Sequence, residues 1–491
     1  MARICVSLTE PTTRGVVDRM ASLVGLADMF EVRGDLVGDL DLLEILRARK
    51  RPIVFACRCA AEGGRWEDGE TRRRMLLLEA VKRGFDYVDV EYRSDFMDVA
   101  MEKSGSGLIL SYHDLEATPQ DLDALYTRMC QRGADVVKIA VTPHSVADVG
   151  RLLEFAARVS AKGGKPLVAI ALGPLGIVTR LIAGRYGAPF VYAAAAPGLE
   201  AASGQLPAET MADVYRVREV TATTRVYGIL GGAARRSLSP LLHNQAFAAR
   251  KLDAVYVPLQ AEAIEPFLRA LPAFDLAGFS VTRPFKVAIL PHLHEVEESA
   301  AMCGSVNTVV VQEGTLRGST TDGIGVVGPL KKRGELKGKA VVIVGAGGAA
   351  RAAALALRRK GARVTLLARN PRQAAETGAA VGCAHAALAD LPRQAWDILV
   401  NATPVGSAAA PGETPVPETL HRPGTIVLDM VYDPLETRLL REARAAGCTT
   451  IDGLEMLLAQ AAPQFETWTG REAPLDAMKA AAERIVREQR S

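Results

Sequence analysis

The stretch GADVVKIAVTP, residues 133–143, decides how the first half of the chain is read. Val136, Val137, Ile139 and Val141 make a β-branched run of the kind found in parallel strands covered on both faces. Lys138 interrupts it. A buried ammonium costs several kcal/mol unless it is paired, neutralised or used chemically. The alternative is a lysine at a strand end that snorkels to water.

The surrounding sequence repeats the pattern. Seven further β-like runs occur at ICVSL (4–8), MFEVRGD (29–35), PIVFACR (52–58), YVDVEY (87–92), LILSYHD (108–114), LVAIAL (167–172) and FVYAAA (190–195). Amphipathic stretches separate them, such as residues 72–84 and 146–164, the latter closed by a Gly pair. Eight βα units in about 200 residues predict a (β/α)8 TIM barrel. Glu31, Arg33, Arg58, Glu91, His113 and Lys138 lie towards the ends of these runs, so they are expected to converge at the C-terminal strand face. The arginine run Arg72–Arg74 is expected on a solvated helix face.

The whole chain has 491 residues, more than the ~250–300 over which one core stops growing, so several domains are expected. With 49% hydrophobic and 23% charged residues the composition is globular. A net charge of +3 and the lack of a basic run interleaved with aromatics argue against a nucleic-acid partner. Seven cysteines without a repeated spacing suggest neither a disulfide framework nor a zinc ribbon, and Cys57 and Cys59 would share one face of a strand. His292 and His294 are poorly spaced as co-ligands, so no metal is expected. The start MARICVSLTE has no long apolar segment and later apolar runs stop well short of ~18 residues, so a cytoplasmic location without membrane contact is expected. Oligomeric state is not legible.

The polar stretch RVREVTATT (216–224) precedes a fresh strand, which places a boundary there. The expected parts are a barrel over 1–218, an α/β substrate-binding lobe over 219–325, and a dinucleotide-binding lobe over 326–491 whose last helices return to the substrate lobe.

A lysine in an apolar cavity loses part of its preference for the charged form, and the neutral amine can attack a ketone to give an imine. The protonated imine acidifies the neighbouring C–H, and His113 on the adjacent strand is a base within reach. Arg33, Arg58 and Arg180 could clamp a carboxylate. Taken alone, Glu31 and Arg33 could instead form an ion pair across strand ends. At EVRGDL, FACRCAAEGG, SYHDL, ADVVKIA, GIVTR and SGQLP the chain resembles type I 3-dehydroquinate dehydratase over residues 1–215. The resemblance implies a covalent imine on Lys138, His113 as general acid/base and Glu62 holding His113. It also implies that Ser7, Glu31, Arg33, Arg58, Arg180 and Gln205 bind the substrate. Where that family usually reads serine this chain has Ala201, with Ser203 two residues on.

KAVVIVGAGGAARA (339–352) is a strand, a Gly-rich turn and a helix. Gly345 suits the tight turn, Gly347 permits approach of a pyrophosphate, and Ala350 allows close helix–strand contact, so Gly345, Ala346, Gly347, Gly348 and Ala349 are expected around the cofactor of a Rossmann fold. At the end of the next strand, RVTLLARN, the chain carries Arg369 where an NAD enzyme carries an acid, which favours NADP(H). SLSP, GFSVTRPFK, SVNT, TTDG, NATP, DMVYDP and DGLEMLLAQAA together resemble shikimate dehydrogenase over residues 225–491. That resemblance implies a catalytic pair, Lys286 and Asp322. Ser237, Ser239, Thr282, Asn307, Tyr432 and Gln460 would contact substrate, and Asn401, Thr403 and Gly453 would line the nicotinamide side.

The domain order resembles plant-type fusion enzymes, which implies consecutive dehydration of 3-dehydroquinate to 3-dehydroshikimate and NADPH-dependent reduction to shikimate. Two other readings are a quinate/shikimate dehydrogenase of broader specificity in the second half, and a non-catalytic metabolite sensor built from the same domains.

Overall fold

The computed structural model describes residues 2–102, 105–232 and 234–488. Its first eight strands are β1 (Arg3–Leu8), β2 (Met29–Arg33), β3 (Ile53–Ala56), β4 (Tyr87–Glu91), β5 (Gly107–Asp114), β6 (Val136–Val141), β7 (Leu167–Ala171) and β8 (Phe190–Ala194). They form one parallel sheet in the order β7-β6-β5-β4-β3-β2-β1-β8, a nearly closed barrel. Every predicted run is present, with ends differing by one or two residues. Gly34 and Asp35 leave β2 for a 3-10 turn, and β3 ends at Ala56, so Cys57 and Cys59 lie beyond the strand and share no strand face.

Residues inside the barrel come from alternate strand positions, and the register sets which of them meet. Ser7 lies beside Glu31, and Ser111 beside Lys138. Lys138 is the third residue of β6, so it sits within the barrel and not at the strand's end. Below it Cys5, Met29, Val54, Ile109, Val136, Phe190 and Tyr192 fill the interior. The helix Glu70–Arg83 covers the outside, but only part of its arginine run is solvated. Arg72 and Arg74 are exposed, whereas Arg73 is fully buried because it points inward beneath the end of β3.

Two six-stranded sheets follow. One is mixed, ordered β10 (Ala254–Gln260), β9 (Arg225–Gly231), β11 (Leu276–Val281), β13 (Thr308–Gln312), β14 (Thr315–Ser319), β12 (Glu295–Val296). The other is parallel, ordered β17 (Ala384–Ala387), β16 (Arg363–Ala368), β15 (Ala340–Val344), β18 (Ile398–Asn401), β19 (Ile426–Asp429), β20 (Thr449–Ile451). Its order reverses direction at β15, the switch point where doubly wound sheets bind nucleotides. The chain divides into two compact units, Met1–Gly228 with Asp253–Leu276, and Ile229–Leu252 with Ala277–Ser491. No described helix is long and apolar enough to cross a membrane.

Candidate active sites

The barrel holds a cavity of about 550 Å³ lined by Glu31, Arg33, Arg58, Glu62, His113, Lys138, Arg180 and Gln205, among others. Lys138 is buried, with Nζ 3.0 Å from Asp89 Oδ2, 3.5 Å from Glu31 Oε1 and 4.1 Å from the centre of the Tyr192 ring. Asp89 also accepts from Arg58 Nη2 at 3.0 Å and from the Ser111 hydroxyl at 2.5 Å. Burial pushes the Asp89 carboxyl upward, but the cations Arg58 and Lys138 outweigh it and hold Asp89 well below the usual range. Lys138 therefore has two carboxylates against it and no need to snorkel, and the apolar surroundings expected of it are replaced by a cavity lined with charged side chains.

His113 Nδ1 lies 2.9 Å from Glu62 Oε2 and 3.2 Å from Arg58 Nη1, and the His113 backbone N–H donates to the same Glu62 oxygen at 3.1 Å. Arg58 can only donate. Nδ1 thus either donates to an ionised Glu62 or accepts from Arg58 beside a protonated one. Burial lifts Glu62 to about 7, so both states are accessible near neutrality. Burial, then the Arg58 and Lys138 charges, push the His113 imidazole well below its ordinary value, which keeps it neutral, with a lone pair able to take up a proton. With Nδ1–H directed at Glu62, Nε2 carries the free lone pair.

The remaining barrel candidates separate by partner. Glu31 accepts from Ser7 at 2.6 Å, and Gln205 donates to Ser7 at 3.2 Å while accepting the Ala201 N–H at 2.8 Å. Arg33 lines the cavity, yet Asp35 holds it through a fork of 2.8 and 2.6 Å, so Glu31 and Arg33 do not depend on each other. Arg180 is buried and its Nε has no hydrogen-bond partner; burial draws its guanidinium down to about 10, still charged at neutral pH. An unsatisfied buried guanidinium on a cavity wall is suited to an anionic group. Ala201 and Ser203 line the same cavity.

Glu91 is not the rim carboxylate its position suggests. It is 2% exposed and paired with Arg73, because it is the last residue of β4, one step beyond Asp89 on the same strand face, where it meets the underside of the loop after β3. Sequence reasoning also missed Asp89, whose signal was a carboxylate in the middle of the apolar run YVDVEY.

In the second unit Lys286 pairs with Asp322, the first residue of the helix Asp322–Lys331. Asn307 donates to Asp322 at 2.8 Å, to Thr321 at 3.0 Å and to Gln460 at 3.2 Å. Gln464, unremarked in the sequence, accepts from Ser280 at 3.1 Å and donates to Asn307 O at 3.1 Å. Ser237 accepts the Ser239 N–H at 3.1 Å and is hydrogen-bonded to Tyr432. Thr282 stands at the end of β11, its N–H donating to Leu230 O at 2.8 Å.

The dinucleotide turn opens beside this cluster. Gly345 has φ +122°, the region that favours glycine. Gly347 is exposed, with no atom within 4 Å of where a Cβ would stand, so the helix start at Gly348 is open to an anion. Ala346 and Ala349 flank it, and Ala350 is fully buried against the sheet. At Gly348 a Cβ would lie 2.6 Å from Ser305 Oγ and 2.9 Å from Lys286 Cβ, so the turn packs directly on the segment carrying the lysine. Asn401 is buried and accepts from Thr403 N and Oγ1 at 3.0 and 2.7 Å while donating to Asp429 at 2.9 Å. Gly453 starts its helix where a Cβ would meet Val431 O at 2.3 Å. Arg369 is exposed at the end of β16 beside a cavity of about 490 Å³. Among the described residues no group of three or more His, Cys, Asp or Glu could hold a metal ion.

A barrel with a buried lysine beside an imidazole, joined to an α/β unit with a lysine–aspartate pair under a dinucleotide turn, defines a fused lyase and oxidoreductase class. Comparison with known proteins narrows it. Family models described as type I 3-dehydroquinase, shikimate dehydrogenase substrate binding domain and shikimate 5'-dehydrogenase C-terminal domain match residues 4–222, 229–309 and 453–483. A model described as FAD binding domain matches 340–411, which opens on the strand–turn–helix that dinucleotide folds share. The chain is 35% identical over 477 residues to a bifunctional 3-dehydroquinate dehydratase/shikimate dehydrogenase, chloroplastic, of Arabidopsis thaliana, covering 91% of this chain and 78% of that one. It is 42% identical over 284 residues to a shikimate dehydrogenase (NADP(+)) of Moorella thermoacetica, covering 55% of this chain and 95% of the other. The structure of shikimate dehydrogenase from Aquifex aeolicus superposes with a TM-score of 0.50 at 32% identity, covering 53% of this chain and 98% of that one. The chain belongs to the family of bifunctional 3-dehydroquinate dehydratases/shikimate dehydrogenases.

Proposed function

We infer that the chain dehydrates 3-dehydroquinate to 3-dehydroshikimate in its barrel and reduces that product to shikimate with NADPH in its second unit. The observation that carries this reading is the convergence of Lys138, His113 and the unpartnered Arg180 on one cavity of a chain in this family. The three working parts are 1–218, 219–325 and 326–491. Seven free cysteines support a reducing, cytoplasmic setting.

In the barrel, Arg180 receives the substrate carboxylate, and Glu31, Arg33, Ser7 and Gln205 face its polar groups. The Lys138 amine adds to the ketone and water leaves, forming the imine. His113 Nε2 removes the proton on the adjacent carbon, and Glu62 holds the imidazolium that results. The same imidazole returns a proton to the departing hydroxyl, which leaves as water, and hydrolysis of the imine regenerates the lysine. Net, one water is lost.

In the second unit the Lys286–Asp322 pair acts at the reacting oxygen, which the lysine stabilises and protonates. Ser237, Ser239, Thr282, Asn307, Tyr432 and Gln460 hold the ring hydroxyls and carboxylate. The open turn at Gly347 and the exposed Arg369 beside its cavity fit a pyrophosphate and a 2′-phosphate. Bound NADP(H) supplies the two-electron transfer to or from the ring carbon. Asn401, Thr403 and Gly453 shape the loop and helix start on that side.

Borohydride added with 3-dehydroquinate should fix mass on Lys138, and Lys286→Ala should abolish reduction while dehydration continues. An unmodified lysine during normal dehydration, or equal loss of both activities in the variant, would refute the assignment.

A further inference from the structure

The chemistry above leaves one fully buried ion pair unused. Arg73 and Glu91 are 1% and 2% exposed and lie under the loop that follows β3. Burying two charges costs roughly several kcal/mol per ion, and an apolar pair of similar volume would pack the helix Glu70–Arg83 against the barrel at least as well. Stability alone is therefore a poor account of the pair, and its other contacts give a better one.

The β-ladder stops at Ala56, so the Cys57 carbonyl and the Arg58 and Cys59 N–H groups lie beyond its pairing, while the Cys59 carbonyl accepts from the Glu62 and Gly64 N–H groups. Side chains take over in succession. Cys57 O accepts from Arg73 Nη1 at 2.9 Å, the Arg58 N–H donates to Asp35 at 3.1 Å, and the Cys59 N–H donates to Glu91 Oε1 at 3.0 Å. Arg73 and Glu91 thus grip the peptide groups on either side of Arg58. Glu70 anchors Arg73 from outside through a fork of 3.0 and 2.6 Å, and the Phe96 ring lies 4.7 Å from its guanidinium carbon. Glu91 Oε1 is also 3.7 Å from Arg58 Nη1, the nitrogen that reaches Ser111 and His113. Glu62 follows in the next turn of the same loop.

We propose that Arg73 and Glu91 are a positioning pair for the dehydration, fixing the Cys57–Cys59 backbone so that Arg58 and Glu62 hold the His113 imidazole in line for proton removal. Neither touches the cavity, and neither is needed for the lysine to add to the ketone. The proposal rests on the dehydratase reading. It separates two steps: imine formation depends on Lys138, and proton removal depends on His113 placement, where a 1 Å error costs about 100-fold.

The test measures dehydration kcat and borohydride trapping on Lys138 in the full chain, in Glu91→Gln and in Arg73→Lys. In Glu91→Gln the side-chain amide can still accept the Cys59 N–H but turns its NH2 group against Arg73. Arg73→Lys keeps the charge but reaches only one of the two partners. Trapping should stay within about twofold of the parent while kcat falls by about 10- to 100-fold in Glu91→Gln and by less in Arg73→Lys. If trapping and kcat fall together, or kcat is unchanged in both variants, the positioning role is wrong. Should one variant fail to fold, the other decides by the same comparison. Loss of both trapping and turnover in the unsubstituted chain would overturn the dehydratase reading itself, and the pair with it.

Discussion

Asp89→Asn removes the charge that faces two cations at once. Asp89 Oδ2 accepts from Lys138 Nζ and Arg58 Nη2, each at 3.0 Å, and all three side chains are buried. The asparagine keeps the shape and one acceptor but leaves both cations short of countercharge. Removing one member of a buried pair costs about 3–5 kcal/mol. For a domain the size of the barrel, 1 kcal/mol moves the melting temperature by about 2–4 °C, so calorimetry of the full chain should show a barrel transition lowered by roughly 6–20 °C at pH 7. The sign with pH follows from the depressed Asp89 carboxyl. Its stabilisation is complete above the ordinary value near 4 and is lost as pH falls through the lower folded value, so the deficit should be constant from about pH 5 to 8 and shrink in acid. Adding Lys138→Met should cost less than the sum of the two single changes, because the second removes a charge that the first stranded. A shift under about 2 °C at pH 7, or additive losses, would refute the reasoning.

Four further outcomes are expected. Glu62, lifted by burial to about 7, should give dehydration kcat/KM a single-proton rise centred near that pH; Glu62→Gln should flatten it and lower the rate roughly tenfold or more, as rate–pH profiles would show. Because folding raises this carboxyl above its ordinary value, its contribution to stability is present below about pH 4 and is lost as pH rises through about 7, so the same variant should melt higher than the parent in alkali. Arg369→Glu should raise KM for NADP about tenfold or more and improve use of NAD, measured by initial rates with each cofactor. Gly348→Ala, whose Cβ would stand 2.9 Å from Lys286 Cβ, should depress the dehydrogenase rate while dehydration stays at the parent level.

Much of this protein was legible before folding. The period-2 and apolar runs specified eight barrel strands, Lys138 stands out as a charge inside an apolar strand, and Arg58 and His113 as charges near strand ends, whereas Glu62 and Gln205 were readable only through the resemblance to a known family. The Gly-rich turn and Arg369 were equally readable, since a positive φ at Gly345 and an open anion face at Gly347 are demands that a short motif can state. Lys286 and Asp322 came from the resemblance to shikimate dehydrogenase, each in its own motif.

Tertiary structure alone decided the partners. Asp89 and Glu91 stand two residues apart on one strand, so they share a face; only Glu91 was singled out in the sequence, as a residue near a strand end. Folding turns Asp89 to Lys138 and Arg58 inside the barrel, and Glu91 to Arg73 beneath the loop after β3. Arg73 sits among two solvated arginines that local sequence does not distinguish from it. The physical reason is the range of the interactions: strand and turn propensities act over a few residues, whereas the countercharge that makes a buried ion tolerable arrives from a distant element and exists only once the barrel is assembled.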